Sequence, residues 1–173
     1  ICSVTAHNTH ESIGRTQEGG TALITFDNMA TRVKSSASDH LGRWCSTSFQ
    51  CKSGRLTHIV VAYQPHKSKK EYLRSTYNQH RRYFRPLGDM RCPRTIFKDD
   101  LQKFLQPLIS KGDGIVLFID ANDDLRNSPT KPFLTTLQLH DVVEAYCGTP
   151  GPSTWFRGSK QIDGVFATSN IDC

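Results

Sequence analysis

Ile115-Val116-Leu117-Phe118-Ile119-Asp120-Ala121-Asn122 is the stretch on which the fold of this chain turns. Five apolar residues run without a polar break and end on an aspartate, with an asparagine two positions further on. The length of the run, its branched side chains and the glycines before it (Gly112 and Gly114) predict a buried strand. Asp123, Asp124, Arg126 and Asn127 then make a polar loop. A carboxylate and a carboxamide therefore stand where a core strand emerges, which is where layered α/β sheets place their chemistry. Asp is also a good turn residue, so Asp120 has a second reading as a turn cap.

Working outward, residues 57–63 predict a second strong strand, stopped by Pro65. Residues 21–26 and 43–49 predict two more, the latter anchored by Trp44, and residues 32–35 a weaker one. Residues 36–42 read as a loop, Lys52-Ser53-Gly54-Arg55 as a hairpin-like turn and Glu18-Gly19-Gly20 as another turn. Helical spacing over residues 68–84 puts Tyr72, Leu73, Tyr77, His80, Tyr83 and Phe84 on one side, with Lys69, Lys70, Arg74, Arg81 and Arg82 on the remainder. Residues 94–108 predict a helix with a core-facing stripe of Ile96, Phe97, Leu101, Phe104, Leu105 and Leu108. Asn127-Ser128-Pro129 is a start signal for a short helix carrying Phe133, Leu134 and Leu137. Residues 153–157 and 161–167 predict the last two strands, and residues 1–18 an irregular N-terminal segment ahead of one domain over 19–173. The order of strands, helices, strand, helix and strands predicts a mixed α/β sandwich, without repeats or linkers.

With 173 residues the chain is long enough for one hydrophobic core. No apolar run approaches the ~18 residues of a membrane helix, and the first residues lack the basic and apolar regions of a signal peptide. The net charge of +6 suits a polyanionic partner, nucleic acid being the commonest, while solubility charge is the plainer reading. The six cysteines form no C-x-x-C pair and no zinc spacing. They read as mostly reduced thiols in an intracellular protein, the nucleus being one setting for it.

Ala62-Tyr63-Gln64-Pro65, Ile119-Asp120-Ala121-Asn122, Ser153-Thr154-Trp155 and Gln161-Ile162-Asp163-Gly164 each end a strand or open a loop with a polar group. Together with Gly19-Gly20-Thr21 and Leu41-Gly42-Arg43-Trp44, this order resembles the endonuclease/exonuclease/phosphatase superfamily. That is the fold of deoxyribonuclease I and of apurinic/apyrimidinic endonucleases, and the domains of this kind found in retroelements look most alike. The resemblance covers residues 19–168. It implies a four-layer α/β sandwich of two packed mixed β-sheets flanked by helices, and hydrolysis of phosphodiesters that depends on Mg²⁺ or Mn²⁺. The implied activity is nicking of DNA. Asp120 and Asn122 match the family's strand-end Asp-x-Asn: the carboxylate would orient or deprotonate the attacking water and the carboxamide would donate to the phosphate. Tyr63 matches a phosphate-contacting position after a central strand, and its other reading is a buried core tyrosine. Asp163 matches the late Ile-Asp motif, which orients the catalytic histidine or helps hold the metal; its other reading is a turn aspartate before Gly164. The resemblance thus implies Asp120 and Asp163 as the metal-side carboxylates.

Two family elements have no counterpart. One is an early Asn followed by a metal-binding Glu, and the other is a C-terminal Asp-His pair. Ser38-Asp39-His40 spells the latter in the wrong place, and the remaining histidines, His66 among them, read as surface or core residues. The expectation is a domain truncated at both ends, so incomplete, with weakened metal binding and activity in doubt. The alternative is a non-catalytic nucleic-acid-binding remnant of the same fold. Lys69, Lys70, Arg74, Arg81 and Arg82, with Lys67 and Arg85, would grip the backbone while Tyr72, Tyr77 and Tyr83 stack on bases; the plainer reading is a solvated helix face. A phosphatase acting on a lipid or inositol phosphate ranks third, since fold does not fix substrate and no membrane-insertion loop is evident.

Overall fold

The computed structural model describes residues 1–6, 20–51, 54–68 and 75–171. In chain order they form β1 (Cys2–Ala6), β2 (Thr21–Thr25), α1 (Asp27–Thr31), β3 (Val33–Ser38), β4 (Trp44–Gln50) and β5 (Leu56–Tyr63). There follow α2 (Thr76–Phe84), α3 (Pro93–Ser110), β6 (Gly114–Asp120), α4 (Thr130–Thr136), β7 (His140–Asp141), α5 (Val142–Cys147) and β8 (Asp163–Ala167). The Ile115-to-Asp120 run is β6, near the middle of a six-stranded sheet of order β3-β4-β5-β6-β8-β7. β6 runs parallel to β5 and antiparallel to β8, so the sheet is mixed.

Alternation along the strands divides the apolar residues between two faces. On one face Trp44, Val60, Ala62, Ile115, Leu117, Ile119 and Phe166 pack against Phe97, Leu101 and Leu105 of α3 and against Leu134 of α4. α3 carries Pro93 in its first turn, where the missing N–H costs nothing. It stops in a Schellman-type cap: Gly112 N donates to Ile109 O at 2.9 Å and Asp113 N to Leu108 O at 3.2 Å. Gly112 takes the φ of +78° that this cap requires. The chain thereby reverses straight into β6.

The other face is only half covered. β1 and β2 form an antiparallel two-stranded sheet that lies over β4 and β5, packing Ala6 and Leu23 on Cys45, Ile59 and Val61. Over β6 no described element covers this face, and Phe118 is 43% exposed. Helices, a mixed sheet and a smaller second sheet make the incomplete sandwich read from the sequence, with a second sheet that is antiparallel and two-stranded among the described residues.

Several elements differ from expectation. The N-terminal segment is not irregular throughout, because Cys2–Ala6 pairs with Thr21–Thr25 from Cys2↔Thr25 to Ala6↔Thr21; residues 7–19, and the proposed boundary at 18, lie outside the described residues. Ser36 to Ser38, read as loop, extends β3. Residues 153–157 form a loop rather than a strand. There the Ser153 hydroxyl is placed against the carbonyls of Trp155, Gly158 and Lys160 at 3.2, 2.7 and 3.3 Å, and such local bonds compete with strand pairing. α2 starts at Thr76, where Ser75 caps it by accepting from Asn78 N at 3.4 Å; residues 69–74 of the longer expected helix lie outside the described residues. Cys2, Cys45, Cys92 and Cys147 are free thiols, as expected, but Cys51 is disulfide-bonded. No helix among the described residues is long and apolar enough to cross a membrane.

Candidate active site

Tyr63 ends β5, Asp120 ends β6 and Asp163 opens β8. In the sheet register Tyr63 is opposite Asp120 and Asp120 is opposite Asp163. Directly opposed residues share a face, so a phenol and two carboxylates stand in one row across three adjacent strands. Because Ile119 is buried in the main core, alternation turns Asp120 to the opposite, half-covered face. The row lines a cleft of about 430 Å³, shared with Thr21, Phe118, Val143, Thr154 and Val165.

Asn122 sits just past the row in a left-handed conformation, φ +46°, which Asn tolerates better than most residues. That conformation lets its N–H donate to Asp120 Oδ1 at 3.0 Å. Asp120 is therefore a turn cap and a cleft carboxylate at once. The Asn122 side chain donates to Gln64 O at 2.9 Å and lies within hydrogen-bond reach of the Tyr63 hydroxyl, as does Thr76. The loop is fastened from behind by fully buried Gln64. Its backbone N donates to Asp120 O at 2.9 Å and its side chain to Ala121 O at 2.6 Å. Arg94 adds bonds to the Ala121 and Asn122 carbonyls, each at 3.3 Å, and an ion pair to Asp123 at 2.9 Å. Ala121 N reaches across to Ile162 O at 2.8 Å, coupling this loop to the one that delivers Asp163.

Asp163 is held from its other side. Thr154 Oγ1 accepts from Ile162 N at 2.9 Å and from Asp163 N at 3.0 Å. Gly164 lets β8 approach closely, since a Cβ there would stand 2.7 Å from Leu125 and 2.8 Å from Phe166. The electrostatics follow from this crowding. Burial and the nearby Asp163 charge push the Asp120 carboxyl above the usual carboxylate range, against the opposing pull of the Asn122 N–H and of His66. Burial and the Asp120 charge push the Tyr63 hydroxyl up as well, so it is a neutral donor at ordinary pH.

The four residues predicted for catalysis are thus brought together. His66, classed from sequence with the ordinary histidines, lies at the edge of the row: it is in the exposed loop after Pro65, with its backbone N–H in hydrogen-bond reach of the Tyr63 hydroxyl. Its position three residues beyond Tyr63 was the available signal. Of the predicted nucleic-acid-binding cations, Lys69, Lys70 and Arg74 lie outside the described residues, while Arg81 and Arg82 are exposed in the last turn of α2. Tyr83 and Tyr77 point to neighbours within the chain: the Tyr83 hydroxyl is 3.1 Å from His40 Nε2, and that of Tyr77 is 3.4 Å from Cys92 Sγ. Ser38-Asp39-His40 serves structure. Asp39 is buried and accepts from Arg43 Nε at 2.8 Å and Arg43 Nη2 at 2.9 Å, while Arg43 Nη1 donates to Asp100 at 3.0 Å. Among the described residues no three His, Cys, Asp or Glu side chains cluster as a metal site; the carboxylates that face each other are Asp120 and Asp163.

No protein-family model matches the chain and no curated protein matches it. Solved structures do. The catalytic domain of human Nocturnin is similar with a TM-score of 0.52 at 17% identity, over 79% of this chain and 48% of that one. Beta toxin from Staphylococcus aureus is similar with a TM-score of 0.50 at 12% identity, over 97% of this chain and 59% of that one. The Xenopus laevis APE2 catalytic domain is a weaker match, with a TM-score of 0.45 at 15% identity, over 76% and 47%. The chain spans about half the length of these structures. The likeness is one of fold: the α/β sandwich expected from the sequence is shared with the Nocturnin catalytic domain and with beta toxin.

Proposed function

We propose that this chain carries the phosphodiester-hydrolysing centre of a nuclease acting on DNA, built on the row Tyr63–Asp120–Asp163 with Asn122 beside it. The observation that carries the reading is the register: residues distant in sequence become neighbours on one face, each with the group that the chemistry needs. Asp120 and Asp163 fit a hard divalent cation such as Mg²⁺ or Mn²⁺, because they are oxygen donors opposed across the sheet and, among the described residues, neither makes an ion pair with a Lys or Arg side chain. When bound, the cation supplies charge neutralisation at the scissile phosphate.

The remaining work belongs to the chain. Asp120 spends one carboxylate oxygen on the Asn122 N–H and keeps the other to orient a water and accept its proton. Tyr63 stays protonated and donates to a phosphate oxygen. Asn122, with one amide hydrogen fixed on Gln64 O and its amide beside the Tyr63 hydroxyl, holds that phenol in place for the phosphate. His66 adds positive charge at the rim when protonated.

The test is nicking of supercoiled plasmid by the purified chain with Mg²⁺. Relaxation that is lost in EDTA and lost in Asp120→Ala supports the reading, and equal relaxation by wild type and Asp120→Ala sinks it. A second reading is favoured by the lack of a third acidic ligand among the described residues: a nucleic-acid-binding remnant without turnover. It predicts salt-dependent DNA binding that survives Asp120→Ala, with no nicking in either protein.

A further inference from the structure

On the far side of the Asp120–Asn122 loop from the carboxylate row lies a cavity of about 320 Å³ lined by Lys67, Cys92, Arg94, Thr95, Lys98 and Asp123. Three cations converge there with one carboxylate between them, and that carboxylate is already paired with Arg94 at 2.9 Å. Neither Lys67 nor Lys98 makes an ion pair among the described residues. Lys98 is half-buried, with its ammonium 5.7 Å from the Phe133 ring centre. Burial and the adjacent Arg94 charge pull its pKa below the usual lysine range. Bringing like charges together around a partly desolvated hollow is unfavourable unless an anion joins them. Arg94 ties the hollow to the site, since the guanidinium that faces the cavity also bonds the Asn122 carbonyl.

From this convergence we propose that the cavity is a second phosphate subsite, in which Lys67, Arg94 and Lys98 hold a backbone phosphate of the DNA strand flanking the phosphate at Asp120. The inference rests on the nuclease reading above and gives it a direction: the strand crosses the Asp120–Asn122 loop toward the start of α3. The cations are recruited from the β5–α2 loop and from successive turns of α3 (Arg94 and Lys98), so folding must precede their convergence. Phosphate contacts of this kind position a strand without reading its sequence.

The experiment is fluorescence anisotropy of a labelled DNA duplex with the full chain in EDTA, so that binding is read without turnover. Lys67→Gln/Lys98→Gln removes two charges and keeps the aliphatic stems that pack; Lys34→Gln/Lys111→Gln, at exposed positions elsewhere, matches the change in net charge. The cavity variant is expected to bind about tenfold more weakly, with a salt dependence shallower by about two ions, while the control changes little. Equal weakening in both variants, or in neither, overturns the subsite. Plasmid nicking by wild type and by Asp120→Ala is run alongside. Nicking that needs Asp120 while the cavity variant binds normally would remove the subsite alone, whereas no DNA binding by wild type would remove both readings. Titration with inorganic phosphate separates the sources: phosphate binding lost in the cavity variant, without DNA binding by wild type, would assign the hollow to a free oxyanion and overturn the strand reading.

Discussion

The two faces of the six-stranded sheet are made by the same strands and have opposite characters. Along β6, Ile115, Leu117 and Ile119 point to the helix-covered face and are 0%, 0% and 3% exposed. Val116, Phe118 and Asp120 alternate to the other face, where Phe118 is 43% exposed and Asp120 half-buried. The covered face is apolar and closed by α3; the other gathers two carboxylates and a phenol into a cleft. One period of two therefore sorts a packed core from a polar cleft within a single strand. The covered face holds the backbone in register, and the register holds like charges opposite each other on the open face.

Substitutions on the two faces should have crossed effects. Arg43→Ala is expected to be the most damaging to stability, by about 3–5 kcal/mol, because it strips the buried Asp39 carboxylate of its guanidinium and leaves it mainly backbone N–H donors. Leu117→Ala should cost about 2–5 kcal/mol through the cavity it opens against α3. Both are read by urea denaturation. On the open face, Asp120→Ala should lower Mg²⁺-dependent nicking by about 10²–10⁴-fold while the urea midpoint stays near wild type. Unfolding of Asp120→Ala would erase the division between faces, since the carboxylate would then be part of the scaffold.

A buried histidine makes a smaller and pH-gated test on the covered side. His80 is fully buried in α2, and burial followed by the Arg43 charge lowers its pKa to about 4. The unfolded chain titrates near the ordinary value of 6.5, so between those values the unfolded state binds the proton and the native state does not. Stability should fall as pH drops through that window, by about 3 kcal/mol in all, and be flat with respect to this group above it. Asp39 acts at lower pH. Burial raises its pKa, but the bonds and charge of Arg43 outweigh that and hold it below the usual range; its contribution is complete above the unfolded value and is lost as pH falls through the folded one. His80→Leu should flatten the urea midpoint between pH 6.5 and pH 4. An unchanged slope in that variant would place the acid sensitivity elsewhere.

What could be read from sequence followed the strength of local signals. β5 and β6 are long apolar runs, and α3 has a stripe at helical spacing, so these elements were legible together with the polar residues at their ends. β1 was not: Cys2-Ser3-Val4-Thr5-Ala6 alternates, but over only five small residues in a polar segment, and it becomes a strand by pairing with β2. α5 is six residues long and was missed, since a helix that short has weak periodicity. Of the candidate site, Tyr63, Asp120 and Asp163 could be placed side by side from sequence because each closes or opens a strand, and Asn122 because it follows the end of β6 by two residues. His66 and the hollow at Lys67, Arg94 and Lys98 could not, because they arise where loops and a helix start meet. Arg43 had a usable signal in its i,i+4 spacing from Asp39, but a buried arginine beside a strand runs against the usual exposure of its type.

The smallest effect is the sharpest probe of the comparison, because it compares adjacent residues. Leu117 and Phe118 are neighbours in one strand, and by size alone the phenylalanine should matter more. On the structure the order reverses. Leu117 is sealed against the helices, while Phe118 keeps 43% of its surface in solvent and has less burial to lose, so Phe118→Ala should cost roughly 1 kcal/mol. That difference is measurable by urea denaturation of the two variants side by side. If Phe118→Ala costs as much as Leu117→Ala, the face over β6 is covered in solution, and the cleft holding Asp120 and Asp163 would be closed to a DNA strand. If it costs little, the face is open where the chemistry is proposed, and Phe118 is free to form an apolar wall of the cleft beside Asp120.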